Sequence, residues 1–170
     1  RCGVDPAKVR VTGIPVYPAL SEARADPDGA RAELGWREGL TAILAVGSKR
    51  GGGLYDVLNL LNHCGLPIQL AIVSGDDEAL HRRLRNTEWH VATHLYGFVD
   101  NMPALMAAAD CILCKAGGLI VSEALASGLP LLLVHVAPGP EAGNAAHVVE
   151  GGAGQLAQTP IEALEIVCHW

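Results

Sequence analysis

The chain has 170 residues, of which half are apolar and 18% are charged, and its formal net charge is −6. The apolar fraction excludes a disordered chain, five cysteines are too few for a disulfide scaffold of this length, and the negative charge disfavours a nucleic-acid partner. The length predicts one domain. Asp110, Lys115 and Glu123 interrupt the most apolar stretch, so no segment is typical of a membrane-spanning helix.

The predicted elements alternate between strands and helices. A short β-branched run at 9–12 comes first, and a polar segment with a short helix that ends at Leu34 follows. Apolar runs predict strands at 41–46, 68–73, 90–96, 111–114 and 131–136. Periodic apolar residues and capping residues predict helices at 54–61, 77–84, 101–109, 119–127 and 144–150. This alternation predicts an α/β fold with a doubly wound, Rossmann-like parallel sheet.

The cysteines indicate a reducing compartment, because they are odd in number and scattered. Cys111 and Cys114 form a CxxC, but residues three apart in a strand point to opposite faces of the sheet. No second CxxC or pair of histidines completes a zinc site. We therefore expect buried, inert thiols and no bound metal.

Three loops that follow predicted strands contain candidate ligand-binding residues, since ligands of such sheets bind beyond the carboxyl ends of the strands. The first loop, 47–53, has four glycines. Its backbone amides could approach an anion, or the loop could be only a permissive turn. It matches neither the GxGxxG of NAD sites nor the Walker A motif, which argues against both chemistries.

The second loop opens a helix with Lys115, Ala116, Gly117 and Gly118. The amides of the two glycines could hold a diphosphate at the helix N-terminus. Glu123 lies five residues further on, where its carboxylate could accept hydrogen bonds from the hydroxyls of a ribose. The alternative for Glu123 is a solvated helix carboxylate. The third loop, 137–145, leads into a helix, and Asn144 is either a site residue or the N-cap of that helix.

Together these loops resemble those in a known family. The segments are VTGIPV at 11–16, GFVDNM at 97–102, KAGGLIVSEALASGLP at 115–130 and PGPEAGN at 138–144. In this order they resemble the C-terminal half of the glycosyltransferases that include monogalactosyldiacylglycerol synthase, processive diacylglycerol glucosyltransferase and MurG. The resemblance covers about 9–157.

The resemblance implies that residues 1–170 form the nucleotide-sugar-binding C-terminal domain of a GT-B fold. The acceptor-binding N-terminal domain would lie outside the chain, which opens at Arg1 and stops within a helical pattern. The implied enzyme is an inverting glycosyltransferase that transfers a hexose from a UDP-sugar to a lipid, diacylglycerol above all. The full-length protein would associate peripherally with the cytoplasmic face of a membrane, and no cofactor is expected.

The resemblance also implies roles for individual residues. The expected positions are Phe98 and Val99 at the uracil, Met102 closing that pocket, Gly47, Ser48, Gly117 and Gly118 at the phosphates, Glu123 at the ribose, and Glu141 and Asn144 near the donor sugar. Lys115 would help to stabilise the departing diphosphate. No catalytic residue is assigned, because the base that deprotonates the acceptor would lie in the other domain. His94, His135 and His147 are expected to have packing or surface roles.

Two positions depart from the family pattern. Tyr17 stands where a basic residue is common, and Pro140 stands where glutamine is common. Proline has no side-chain amide with which to hold a sugar hydroxyl, so the pattern leaves the donor sugar open. Two alternatives also remain: the donor-binding subunit of a split, two-chain transferase, and an enzyme that resembles a UDP-sugar epimerase.

Overall fold

The computed structural model describes residues 3–22, 26–47 and 53–170, in which six parallel strands form one sheet between two layers of helices. The strands are β1 (Thr41–Val46), β2 (Ile68–Val73), β3 (Ala92–Tyr96), β4 (Cys111–Cys114), β5 (Leu131–Val134) and β6 (Gly154–Ala157). The α-helices are α1 (Ala19–Glu22), α2 (Pro27–Leu34), α3 (Leu54–Asn62), α4 (Glu78–Arg85), α5 (Met102–Ala108), α6 (Gly118–Ala126), α7 (Pro140–Glu150) and α8 (Pro160–His169). None of the helices within the described residues has both the length and the apolar character to cross a bilayer.

The strand order places a crevice at the centre of the sheet. The order is β3-β2-β1-β4-β5-β6, so the chain first builds outward from β1 and then returns to the other side of β1 at β4. The loops that leave β1 and β4 therefore turn to opposite faces of the sheet, which opens a crevice at the carboxyl ends of these two strands. The predicted doubly wound, Rossmann-like sheet is confirmed.

The inner strands are apolar on both faces because helices cover both sides of the sheet. Every residue of β2, β4 and β5 is buried. Cys111 belongs to the core cluster on one face and Cys114 to the cluster on the other. Burial raises the pKa of each thiol to about 12, so both stay protonated and inert. The prediction of two buried thiols on opposite faces is confirmed.

The amino ends of the strands are held by polar side chains that bind one another or the backbone. The Arg31 guanidinium lies 2.7 Å from the Asp110 carboxylate, which also accepts the Ala42 amide at 2.7 Å. Gln69, fully buried, exchanges two hydrogen bonds with the backbone of Arg37. These contacts hold α2 and the segment that follows it at the amino ends of the strands.

Four predicted elements differ from the structure by two residues or more. β5 ends at Val134 because His135 takes a left-handed backbone, with φ at 51°. α7 begins at Pro140 rather than at residue 144, and β3 begins at Ala92 because Asn62 takes up the two preceding amides. The run at 9–12 is exposed and joins no strand within the described residues. β6, a short edge strand, was not predicted.

Candidate functional site

The carboxyl ends of β1 and β4 lie side by side at the crevice, so two of the predicted loops start there. Gly47 continues β1 and donates its amide to the Val73 carbonyl at 2.8 Å. A Cβ at this position would lie 2.7 Å from Leu80 Cδ2 and 3.3 Å from that carbonyl oxygen. The backbone here therefore approaches its neighbours too closely for a side chain. Ser48, the other predicted residue of this loop, lies outside the described residues.

The loop after β4 presents backbone amides at the start of α6. Lys115 is half-buried at the end of the strand, and Gly117 is the N-cap of the helix without a side-chain capping bond. The first amides of a helix have no intrahelical partner and carry the positive end of the helix dipole. A Cβ at Gly118 would lie 3.0 Å from Ile14 Cδ1, so the Ile14 side chain lies against this turn.

Glu123 lies on the same helix as Gly118, five residues further along. At about 1.5 Å of rise per residue, this places the carboxylate roughly 7.5 Å along the axis from the first turn. The side chain is half-buried, and burial raises its pKa. Within the described residues, no hydrogen-bond donor reaches the carboxylate. Such an acceptor gains from a ligand that supplies donors, because burial has removed part of its hydration.

The residues predicted at the uracil follow β3. Phe98 is 75% exposed, whereas Val99 and Met102 are half-buried against the core cluster that contains Met106. Phe98 thus presents an aromatic face to solvent beside two packed apolar residues. β3 lies three strand spacings from β4, or about 14 Å. A ligand that touches both Phe98 and Gly118 must therefore be elongated.

The two residues predicted near the donor sugar lie on α7. Asn144 Nδ2 donates to the Ala116 carbonyl at 2.8 Å, which ties α7 to the turn before α6. The N-cap of α7 is Gly139, so the alternative that Asn144 caps the helix is wrong. Glu141 Oε2 accepts the Ala137 amide at 2.9 Å and fixes the loop that leads into the helix.

One residue at the crevice was not predicted. His135 follows β5, and its imidazole lies so close to Gly53 that a Cβ on Gly53 would overlap the ring. Gly53 is the N-cap of α3, at the end of the first glycine loop. The sequence contains no spacing that relates two residues 82 positions apart, so only the fold could bring them together.

In the part of the chain that the structure describes, no group of three or more acidic, histidine or cysteine side chains could hold a metal ion. Asp26 and Asp28 have Asp-x-Asp spacing, but Asp26 caps α2 by accepting the Gly29 amide at 2.9 Å. The prediction that no cofactor is needed remains a prediction.

Comparisons with known proteins agree with this geometry. Residues 54–159 match the family described as glycosyltransferase family 28 C-terminal domain. The chain is 34% identical to the probable monogalactosyldiacylglycerol synthase 2, chloroplastic, of Oryza sativa subsp. indica, over 99% of this chain and 38% of that protein. The chain thus spans about two fifths of the length of this curated relative.

Solved structures share the fold at lower identity. MurG of Acinetobacter baumannii is 20% identical with a TM-score of 0.65, over 96% of this chain and 49% of that one. HepE of Anabaena, solved in complex with UDP and glucose, is 21% identical with a TM-score of 0.58, over 85% of this chain and 40% of that one. Since the family match covers more than half of the chain, the chain belongs to the glycosyltransferase family 28 C-terminal domain family.

Proposed function

We propose that the chain binds the UDP-sugar donor of an inverting glycosyltransferase that transfers a hexose to a lipid acceptor, namely diacylglycerol. The relative from Oryza sativa is named "probable monogalactosyldiacylglycerol synthase 2", and the similarity extends over 99% of this chain. An acceptor-binding domain outside the chain would complete the active site. The complete protein would act at a membrane surface, where its acceptor resides.

The observation that carries this proposal is the combination of three kinds of binding group on the elements that follow β3 and β4. An exposed aromatic ring follows β3, an acceptor carboxylate lies within α6, and uncapped amides open α6 beside α7. A nucleoside diphosphate needs partners of these three kinds, for its base, its ribose and its diphosphate. Phe98 would stack on uracil, Glu123 would accept from the ribose hydroxyls, and the amides at Gly117 and Gly118 would bind the diphosphate.

The α6 amides and Lys115 would act on the UDP leaving group during the transfer. In a single displacement the acceptor oxygen forms a bond to C1 of the sugar, and the bond from C1 to the β-phosphate oxygen breaks. The electron pair leaves on the diphosphate, while the hydroxyl proton passes to a base of the acceptor-binding domain. The α6 amides and Lys115 would stabilise the developing charge. In this scheme the protein groups supply that stabilisation without a metal.

Nucleotide titration tests the donor part of the proposal. We expect the 170-residue chain to bind UDP with at least tenfold higher affinity than ADP or GDP in isothermal titration calorimetry. Uracil would contact Phe98 and the backbone of Val99, which a purine cannot match. Equal affinities for the three nucleotides, or no heat at millimolar UDP, would contradict the proposal.

Product analysis tests the acceptor part. The complete protein is incubated with UDP-galactose or UDP-glucose and with vesicles that contain diacylglycerol. We expect a monohexosyl diacylglycerol with inverted configuration at the anomeric carbon. Two results would oppose this function: a retained configuration, and conversion of the UDP-sugar to its epimer without any lipid.

A further inference from the structure

The segment after β5 contacts the turn before α3 and the turn before α6, although β5 is not a neighbour of β1 in the sheet. We call residues 135–144 the clasp. At its start, the His135 ring packs on Gly53 before α3, and near its end Asn144 Nδ2 donates to the Ala116 carbonyl before α6. The clasp therefore links the N-terminal ends of the two helices that flank the crevice.

The backbone at the start of the clasp is strained in a way that core packing does not explain. His135 is the one non-glycine residue with positive φ in the described part of the chain. Its side chain is exposed, so the conformation gains little from burial. Left-handed non-glycine residues persist where their surroundings impose them, and they concentrate at functional sites. The contact that the conformation provides here is the one with Gly53, whose own φ of 100° also suits glycine.

The clasp also fixes its own shape. Glu141 Oε2 accepts the Ala137 amide at 2.9 Å across the loop that joins β5 to α7. Asn144 lies in the second turn of α7, where helical hydrogen bonds hold its backbone. A rigid segment with one contact at each end can set the distance between the two turns that it touches. A flexible segment could not.

From these contacts we infer that His135 and Asn144 are positioning residues, which hold the starts of α3 and α6 in one diphosphate-binding arrangement. This inference rests on the proposed function, because it names the ligand whose diphosphate occupies the crevice. Neither residue needs to touch that ligand. Each acts through a backbone turn, His135 through Gly53 and Asn144 through Ala116.

Affinities for UDP and for uridine separate this role from general stability. The variants are His135→Asn, which keeps a residue that tolerates positive φ but lacks the ring, and Asn144→Asp, which keeps the shape but cannot donate to the Ala116 carbonyl. Asn144→Ser provides a second, smaller test of the same contact. His147→Asn is the control, since His147 lies exposed on α7.

We expect each clasp variant to lower the affinity for UDP about tenfold, while the affinity for uridine stays within twofold of the wild-type value. The control should change neither value. A merely structural role would lower the melting temperature and leave the ratio of the two affinities unchanged, and that result would overturn the inference while the proposed function stood. A wild-type chain that bound no UDP would overturn both together.

Discussion

The strands have their amino ends on one side of the sheet and their carboxyl ends on the other, which we call the amino edge and the carboxyl edge. The polar groups of these two edges differ in whether they already have hydrogen-bond partners. At the amino edge a cavity of about 650 Å³ is lined by Thr41, Pro67, Asp110, Pro130 and Trp170, among others. Its carboxylate, Asp110, is already bound by Arg31 and by a backbone amide. At the carboxyl edge, no donor among the described residues reaches the Glu123 carboxylate, and no side chain caps the first amides of α6. We therefore expect the ligand at the carboxyl edge and not in this cavity, because a ligand gains most where polar groups still lack partners.

The first prediction tests the structural role of the amino edge. Asn62 is 1% exposed and accepts the amides of His90 and Val91 while donating to the Glu88 carbonyl. Asn62→Ala should lower the free energy of unfolding by about 3 kcal/mol, because it removes these bonds and leaves backbone groups without partners. Urea denaturation followed by circular dichroism measures the change.

Asn59→Ala is the matched control, since Asn59 lies exposed on the same helix. It should change the free energy of unfolding by no more than about 0.5 kcal/mol. Under conditions where Asn62→Ala remains folded, its affinity for UDP should equal that of the wild type. A selective loss of UDP affinity in Asn62→Ala would remove the distinction between the two edges.

The second prediction concerns the carboxylate at the carboxyl edge. Glu123→Gln should weaken uridine about tenfold, because hydrogen bonds to a charged acceptor are stronger than those to an amide oxygen. Uridine is the suitable ligand, since it has no phosphate that titrates nearby. Calorimetry of wild type, Glu123→Gln and the exposed control Glu150→Gln measures the effect.

The pH dependence of Glu123 follows from the direction of its shift. Burial raises its pKa in the folded chain, and ribose hydroxyls would bind the ionised form. The affinity for uridine should therefore rise as the pH increases through this raised pKa and reach a plateau above it. The free energy of unfolding changes with pH in the opposite direction. The stabilising contribution of Glu123 is complete below the usual pKa of glutamate and is lost as the pH rises through the raised pKa of the folded chain. Both dependences should be absent in Glu123→Gln, and a variant that keeps them would show that another group is responsible.

The sequence predicted the centre of the fold better than its edges. β1, β2 and β4 have the predicted bounds because apolar runs buried on both faces have few alternatives. β6 was missed because a four-residue edge strand that contains a glycine and one exposed polar residue, Gln155, resembles a loop. The predicted start of α7 is four residues too late, because a proline in a glycine-rich segment is as typical of a turn as of the first position of a helix.

At the candidate site, the sequence indicated which loops matter but not how they touch. The glycines of 115–118 and Glu123 were found because their spacing relates them to one helix. The contacts of Asn144 with Ala116 and of His135 with Gly53 join distant loops, so no local pattern encodes them. His135 was expected to pack or to lie on the surface, and its ring does pack on Gly53. Its left-handed backbone is a property of the fold that no sequence pattern indicated.

The smallest expected effect compares one exposed aromatic side chain from each edge. Phe98, at the carboxyl edge, is 75% exposed, and Trp170, beside the amino-edge cavity, is 48% exposed. Phe98→Ala should weaken UDP about fivefold, or about 1 kcal/mol, through the loss of a stacking surface, and it should leave the melting temperature unchanged. Trp170→Ala should leave UDP affinity unchanged. If Trp170→Ala weakened UDP binding and Phe98→Ala did not, the nucleotide would bind at the amino edge. Apolar surface, and not polar groups without hydrogen-bond partners, would then determine where the ligand binds.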